Sequence, residues 1–389
     1  MSRRDTATEF MQQPTTSGSS TRNAGVTIDD GRGRVFPCEQ CGAELTFHIG
    51  QQKLACPHCG HTRELHVDPT AKISERDLDG MLKQVATWRQ DGVSDEQATS
   101  EVRCAACGGT VVFTGNLTSS ECPYCGVPLQ RENIHTSPKR IPVDGVLPFL
   151  IERNTAAEKF RTWVNSRWFA PNDFRKSGEE GKFNGVYLPY WTFDAWTSNV
   201  YYGLRGDEYY VTVGEGNEQR QEIRVNWTPV SGSFERFFDD VISFAAKGLP
   251  HWMMLALEPW RLDKCVPFNQ ELLAGFLART YDIPLDQGFN DARTRMDATL
   301  HAEAQGLIGG NQQQLQSVQS NYQALTYKHL LLPVWLLAYR FQGRAFQVAV
   351  NASTGEVQGE RPYSAWKITA AVIAGLIAAG VLFLLFGSR

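Results

Sequence analysis

Two cysteine quartets of identical spacing limit what this chain can build: Cys38, Cys41, Cys56 and Cys59, then Cys104, Cys107, Cys122 and Cys125. Each reads C-x2-C-G, a gap, then C-P-x-C-G, with fourteen residues between the inner cysteines. A C-x2-C turn offers two thiolates to one metal. The glycine after it (Gly42, Gly60, Gly108, Gly126) suits a tight knuckle that aims backbone N–H groups at sulfur. Four thiolates close a tetrahedral shell and leave no position for a substrate. Both sites are therefore expected to be structural, holding two Zn2+ ions.

The competing use of eight cysteines is a disulfide framework, which needs an oxidising compartment and an export signal. The opening MSRRDTATEFMQQPTTSGSS contains no apolar core of a signal peptide, so zinc and a reducing compartment are expected. Zinc binding of this type is worth roughly 10–16 kcal/mol, more than so small a segment gains from its own core. Cys265 is left over and reads as a structural cysteine.

At the other end, Ile368 to Gly387 runs twenty residues without a charge, enough at 1.5 Å per residue to cross ~30 Å of hydrocarbon. The expectation is a transmembrane helix over 366–387 acting as a tail anchor, with Tyr363, Trp366 and Lys367 at the interface. Arg361 and Lys367 before the span outweigh Arg389 after it. That charge bias predicts a single-pass protein of the cytoplasmic membrane, its N-terminal bulk in the cytoplasm. Ala371, Gly375 and Ala379 form a stripe on which a second such helix could pack, giving oligomers.

Between these ends, residues 1–33 are rich in Ser, Thr, Gly and Gln and read as a disordered tail. Zinc ribbon 1 covers 34–66. A spacer over 67–102 holds a helix opened by Ser74-Glu75-Arg76-Asp77, with Leu78, Met81, Leu82 and Val85 on one face, expected to pack on a ribbon. Zinc ribbon 2 covers 103–131, and 136–142 is a linker. Residues 141–363 read as a duplicated α+β domain. Leu147-Pro148-Phe149 precedes a helical stretch with Phe160, Trp163 and Val164, and Val266-Pro267-Phe268 precedes another with Leu272, Leu273, Phe276 and Leu277. Each is answered by an LPxW strand, Leu188-Pro189-Tyr190-Trp191 and Leu332-Pro333-Val334-Trp335, whose aromatics are expected in the core. Arg344 to Val350 alternates, Asn351 to Gly355 turns, and Glu356-Val357 resumes a strand. From Asn290 to Leu325 a Gln-rich segment with Ala292, Met296 and Leu300 at helical spacing, interrupted by Gly309-Gly310, suggests an extended helical arm. The fold class is α+β: two small β ribbons, the duplicated domain and one C-terminal transmembrane helix.

No phosphate-binding loop, H-E-x-x-H, G-x-S-x-G or dinucleotide fingerprint occurs. Gly181-Lys182 lacks the flanking residues, and the adjacent carboxylates Glu179-Glu180 and Asp239-Asp240 read as solvated surface. His58 and His61 flank Cys59, but four cysteines already complete that ligand set. No enzyme is expected. Zinc ribbons also serve nucleic-acid proteins, which need a basic stripe to neutralise phosphate. Ribbon 1 offers Lys53 and Arg63 against Glu39, Glu44 and Glu64. Ribbon 2 has Arg103 and Arg131 at its borders and Glu121 inside. Neither ribbon reads as a phosphate-binding surface, so protein binding or stapling is favoured over nucleic acid.

The order of parts resembles the bacterial membrane-anchored zinc-ribbon proteins of the YdjG type. It rests on the paired ribbons, Gly185-Val186-Tyr187-Leu188-Pro189-Tyr190-Trp191-Thr192-Phe193-Asp194-Ala195, Leu331-Leu332-Pro333-Val334-Trp335, and Gly359-Glu360-Arg361-Pro362, and covers about 34–389. Members are often labelled TFIIB-type zinc-binding or primosomal helicase PriA-like. The resemblance implies a membrane scaffold that recruits an SPFH-domain partner, or a PspA-like protein, in envelope stress. The alternative is a zinc-ribbon nucleic-acid-binding protein linked to replication or transcription.

Overall fold

The computed structural model describes residues 34–65, 71–91, 140–167, 183–214, 219–341, 344–360 and 365–386, with the backbone of short strands at 26–27 and between 100 and 135. Ribbon 1 is a small antiparallel sheet of β1 (Thr46–His48), β2 (Lys53–Ala55) and β3 (Thr62–Arg63). Next, β4 (Arg76–Asp77) leads into helix α1 (Leu78–Asp91). Its cap is Asp77, whose Oδ2 accepts from the Gly80 N–H at 2.9 Å, satisfying one of the donors a helix start leaves open. Leu78, Met81, Leu82 and Val85 do share a face, and among the described residues they pack with Trp88 into the body's core, not on ribbon 1.

The body follows as β5 (Gly145–Val146), α2 (Arg153–Asn165), β6 (Asn184–Val213), β7 (Arg220–Phe244), α3 (His251–Leu255), β8 (Val266–Pro267), β9 (Leu277–Ala278), α4 (Leu285–Ile308), β10 (Gln312–Phe341), β11 (Arg344–Asn351) and β12 (Val357–Gly359). Strands β4 to β12 form one nine-stranded sheet. Its main order is β7-β6-β10-β5-β8, so β7 is an outermost strand. The two LPxW blocks lie side by side on antiparallel β6 and β10, with Leu188 opposite Leu332. Their tryptophans are buried. The Trp191 indole N–H donates to the Ile283 carbonyl and that of Trp335 to the Ile151 carbonyl, each at 2.9 Å. The expected strand–turn–strand after Arg344 is present: Asn351 Oδ1 accepts the Ser353 N–H at 2.8 Å, and Gly355 takes φ +83°.

Two helical expectations fail for local reasons. Helix α4 stops at Ile308 because Gly309 and Gly310 adopt φ of +68° and +79°. From Gln312 the chain becomes β10, whose backbone is claimed by β6 from Gly206 inward; a partner strand outweighs helix propensity. After Phe268, only a short 3-10 turn forms at Gln270–Leu273, capped by Asn269, before Gly275 at φ +82° redirects the chain into β9.

The core lies on both faces of β6. Leu188 and Tyr190 pack with Ile242, Phe244, Met253 and Met254 on one face. On the other, Trp191 and Phe193 meet Ala292, Met296 and Leu300 of α4. Further out, Ala304 and Ile308 of α4 cover Tyr201. A pair of register shifts separates body from outer sheet: β6 slips against β7 at Phe193/Ala195 and against β10 at Asp194/Trp196. Asp194 pins both, accepting the Asp240 N–H at 2.6 Å on one oxygen and the Thr326 hydroxyl at 3.1 Å on the other. Such bulges bend and twist a sheet, and Lys328, 2.8 Å from Asp240, balances the charge.

The membrane reading is corrected. Among the described residues no helix is long and apolar enough to cross a membrane. A C-terminal helix α5 (Ala365–Phe386) does form. The tail anchor, the cytoplasmic-membrane location, oligomers through Ala371, Gly375 and Ala379, and the membrane scaffold for an SPFH-domain or PspA-like partner all depended on that span and fall with it.

Candidate metal centre

In ribbon 1 each cysteine pair sits on a knuckle that its own backbone closes. The Gly42 N–H donates to the Cys38 carbonyl at 2.9 Å and the Gly60 N–H to that of Cys56 at 3.0 Å. Both glycines adopt left-handed φ, +71° and +75°. A Cβ at either would meet nothing within 4 Å, so the backbone angle, not space, calls for glycine.

The knuckles bring the Sγ atoms of Cys38, Cys41, Cys56 and Cys59 within 4.8 Å of one another. Cys38 and Cys59 are 3.6 Å apart, Cys41 and Cys56 3.5 Å. Sulfurs at the corners of a tetrahedron with Zn–S bonds of about 2.3 Å lie about 3.8 Å apart. The set thus fits one Zn2+, and all four cysteines are free of disulfides. The backbone N–H of Cys59, against burial and with help from that of His58, brings Cys56 down to about 6. Cys41 receives an N–H from Ala43, yet the facing sulfurs of Cys59 and Cys56 push it up to about 12. Four thiols this close cannot all ionise without a cation among them. His58 is exposed and His61 half-buried, and neither belongs to the cluster.

The ribbon is not a free-standing bead. Phe36, Leu45, Phe47 and Leu54, together with Cys38 and Cys56, share one core with Phe149, Phe160, Tyr187 and Trp335 of the body. The Phe47 N–H donates to the Ala274 carbonyl at 3.0 Å, and the Gln52 amide reaches the Phe149 carbonyl at 2.9 Å. Arg63 meets Glu271, a buried carboxylate, at 2.8 Å. Sequence reasoning missed this seam: Arg63 and Glu271 lie 208 positions apart, and no local pattern marks either.

The second quartet, Cys104, Cys107, Cys122 and Cys125, lies outside the described residues, as do Gly108, Gly126, the tail 1–25 and Glu179-Glu180 with Gly181-Lys182. Among the described residues the Cys38 cluster is the one group with metal-holding geometry. Burial pushes the Cys265 thiol up to about 12, which leaves it a poor nucleophile.

Residues 38–63 match the family model of the PriA DNA helicase Cys-rich region (CRR) domain. Along most of its length the chain is also similar to a Bacillus subtilis (strain 168) protein named "Uncharacterized protein YdjG". The two are 26% identical over 351 residues, covering 86% of this chain and 92% of that relative. No solved structure matches the chain significantly. The chain thus carries a PriA-type zinc ribbon and is distantly homologous to the Bacillus protein, and a small Cys-rich ribbon of this type is not a catalytic domain.

Proposed function

We propose that this chain is a non-catalytic binding protein whose zinc ribbon braces the α+β body that carries the binding surface. The shared core supports this most directly: two of the four cysteines are buried in the core that the ribbon shares with the body, so an ion that fixes the ribbon also fixes one wall of that core. A closed four-sulfur shell leaves no coordination position for substrate chemistry. We read Cys104, Cys107, Cys122 and Cys125 as a second structural site of the same kind, on their identical spacing. Residues 141–363 are read as two related halves, supported by the facing LPxW strands and their reciprocal indole bonds.

Metal analysis of the purified full chain tests this: two zinc per chain are expected, falling to one in both Cys56→Ser and Cys104→Ser. Zinc content unchanged by Cys56→Ser, or a metal-free chain as stable as the loaded one, would refute it.

A second reading, nucleic-acid binding, is favoured by the match to the helicase Cys-rich region. Against it, Lys53 is engaged by Glu64 at 2.6 Å and Arg63 by Glu271, so ribbon 1 offers phosphate few free cations. Binding of single-stranded DNA that weakens steeply with salt would establish it.

A further inference from the structure

Beyond the double bulge, β6, β7 and β10 continue as a three-stranded sheet covered by α4 on one face. Side chains alternate along a strand, so the opposite face is set by residue parity. It shows Trp196, Ser198, Val200 and Tyr202 on β6, Phe237, Glu235, Ser233 and Ser231 opposite them on β7, and Gln323, Asn321, Gln319 and Ser317 on β10. Trp196, Tyr202 and Phe237 remain 41%, 44% and 52% exposed. Trp196 and Phe237 are neighbours across the strands, ring centroids 6.0 Å apart and planes tilted by 34°. Between them and Tyr202 lies an open groove of about 680 Å3 lined by Val200, Ser233, Gln319 and Asn321, among others.

This face combines three properties. Its rings lie along a line: Tyr202 stands six positions beyond Trp196, about 20 Å at the strand rise. Its β10 row is uncharged amides and a hydroxyl, and the side chains of Ser317, Gln319, Asn321 and Gln323 hydrogen-bond to no other described residue. Its charges are carboxylates alone: from Trp196 to Glu208 and across the partner strands, Glu208 and Glu235 face out with no lysine or arginine. Primary amides both donate and accept, as sugar hydroxyls do, and aromatic faces receive the C–H face of a pyranose. A polyanion would find no counter-charge here.

We propose that this open face is a binding platform for a neutral oligosaccharide. Its rings stack on Trp196, Phe237 and Tyr202, and its hydroxyls bond Gln319, Asn321 and Gln323. The proposal rests on the reading of the body as a binding module and names its ligand class.

Calorimetric titration of the zinc-loaded full chain with maltohexaose, cellohexaose, xylohexaose and chitohexaose tests it, with single-stranded dT20 as the anionic probe. At least one hexasaccharide is expected to bind, and its affinity to fall tenfold or more in both Trp196→Ala and Asn321→Ala. Both positions are exposed, and unchanged zinc content and melting temperature establish that the variants fold. Absence of binding to all four sugars, or binding that both variants leave intact, overturns the platform. So does dT20 binding abolished by Trp196→Ala, which would assign the face to nucleobases. None of these outcomes alters the zinc count, so failure of the platform is separable from failure of the brace.

Discussion

His329 shows how much a single buried ring can cost when it gains a proton. Its Nδ1 faces the Ile141 and Pro142 carbonyls at 3.3 and 3.2 Å. The ring lies 4.5 Å from that of Trp191, and Nε2 is buried without a partner. Burial, outweighing those carbonyls, brings its pKa down from 6.5 to about 4. A folded value below the unfolded one means that the unfolded chain binds the extra proton first. Stability is therefore full above pH 6.5 and drains away toward pH 4, by on the order of 3 kcal/mol. Asp144 and Asp194, raised by burial, act with opposite sign at the lower end of that range. Urea titrations at pH 7 and pH 4.5 should show the loss, and His329→Phe should flatten the slope whatever its own stability. An equal slope in the variant would remove the ring as the cause. A smaller residue effect belongs to the knuckles: Gly42→Ala forces a side chain into left-handed geometry, costing about 1–2 kcal/mol, read as a lower melting temperature and faster zinc loss to a chelator.

Among the elements, the seam between ribbon and body is the most sensitive to single changes. Glu271 is buried and Arg63 alone of the described cations pairs with it. Arg63→Ala strands a carboxylate in the core and should cost about 3–5 kcal/mol, whereas Arg63→Ala with Glu271→Leu should recover much of that. A denaturation double-mutant cycle reads the difference, and additive losses would show the pair to be uncoupled. This seam could not be read from sequence, because a long-range ion pair leaves no periodic trace. By contrast the knuckle glycines, the buried LPxW tryptophans, the apolar face of α1 and the Asn351 turn were legible, since each is written within a few residues. Gln312 to Leu325 shows the limit between the two. Its glutamines and alanine allow a helix, and only the distant β6 makes it a strand. The same misassignment hid the open face, although Trp196, Ser198, Val200 and Tyr202 already alternate.

At the scale of the whole molecule, a ribbon sharing its core with the body implies that metal and fold report on each other. Taken by itself, a small zinc ribbon should melt alone when stripped. Cys38 and Cys56 lie among residues that also hold Phe149 and Trp335, so chelation should lower the melting temperature of the body as well. Near-ultraviolet circular dichroism and far-ultraviolet ellipticity should then fall in one transition at reduced temperature. A body transition unmoved by the chelator would show that the seam transmits little.

The outermost position of β7 carries one more implication. Twenty-five residues, Arg220–Phe244, run with a neighbour on one side alone among the described strands, and an exposed row of peptide groups invites copy-to-copy annealing into fibres. Pro229 sits opposite Leu204 in that strand. A proline is tolerated there only with its missing N–H turned outward, which interrupts the template where a second molecule would add. Pro229→Val should leave the monomer folded and bring on concentration-dependent light scattering and thioflavin fluorescence.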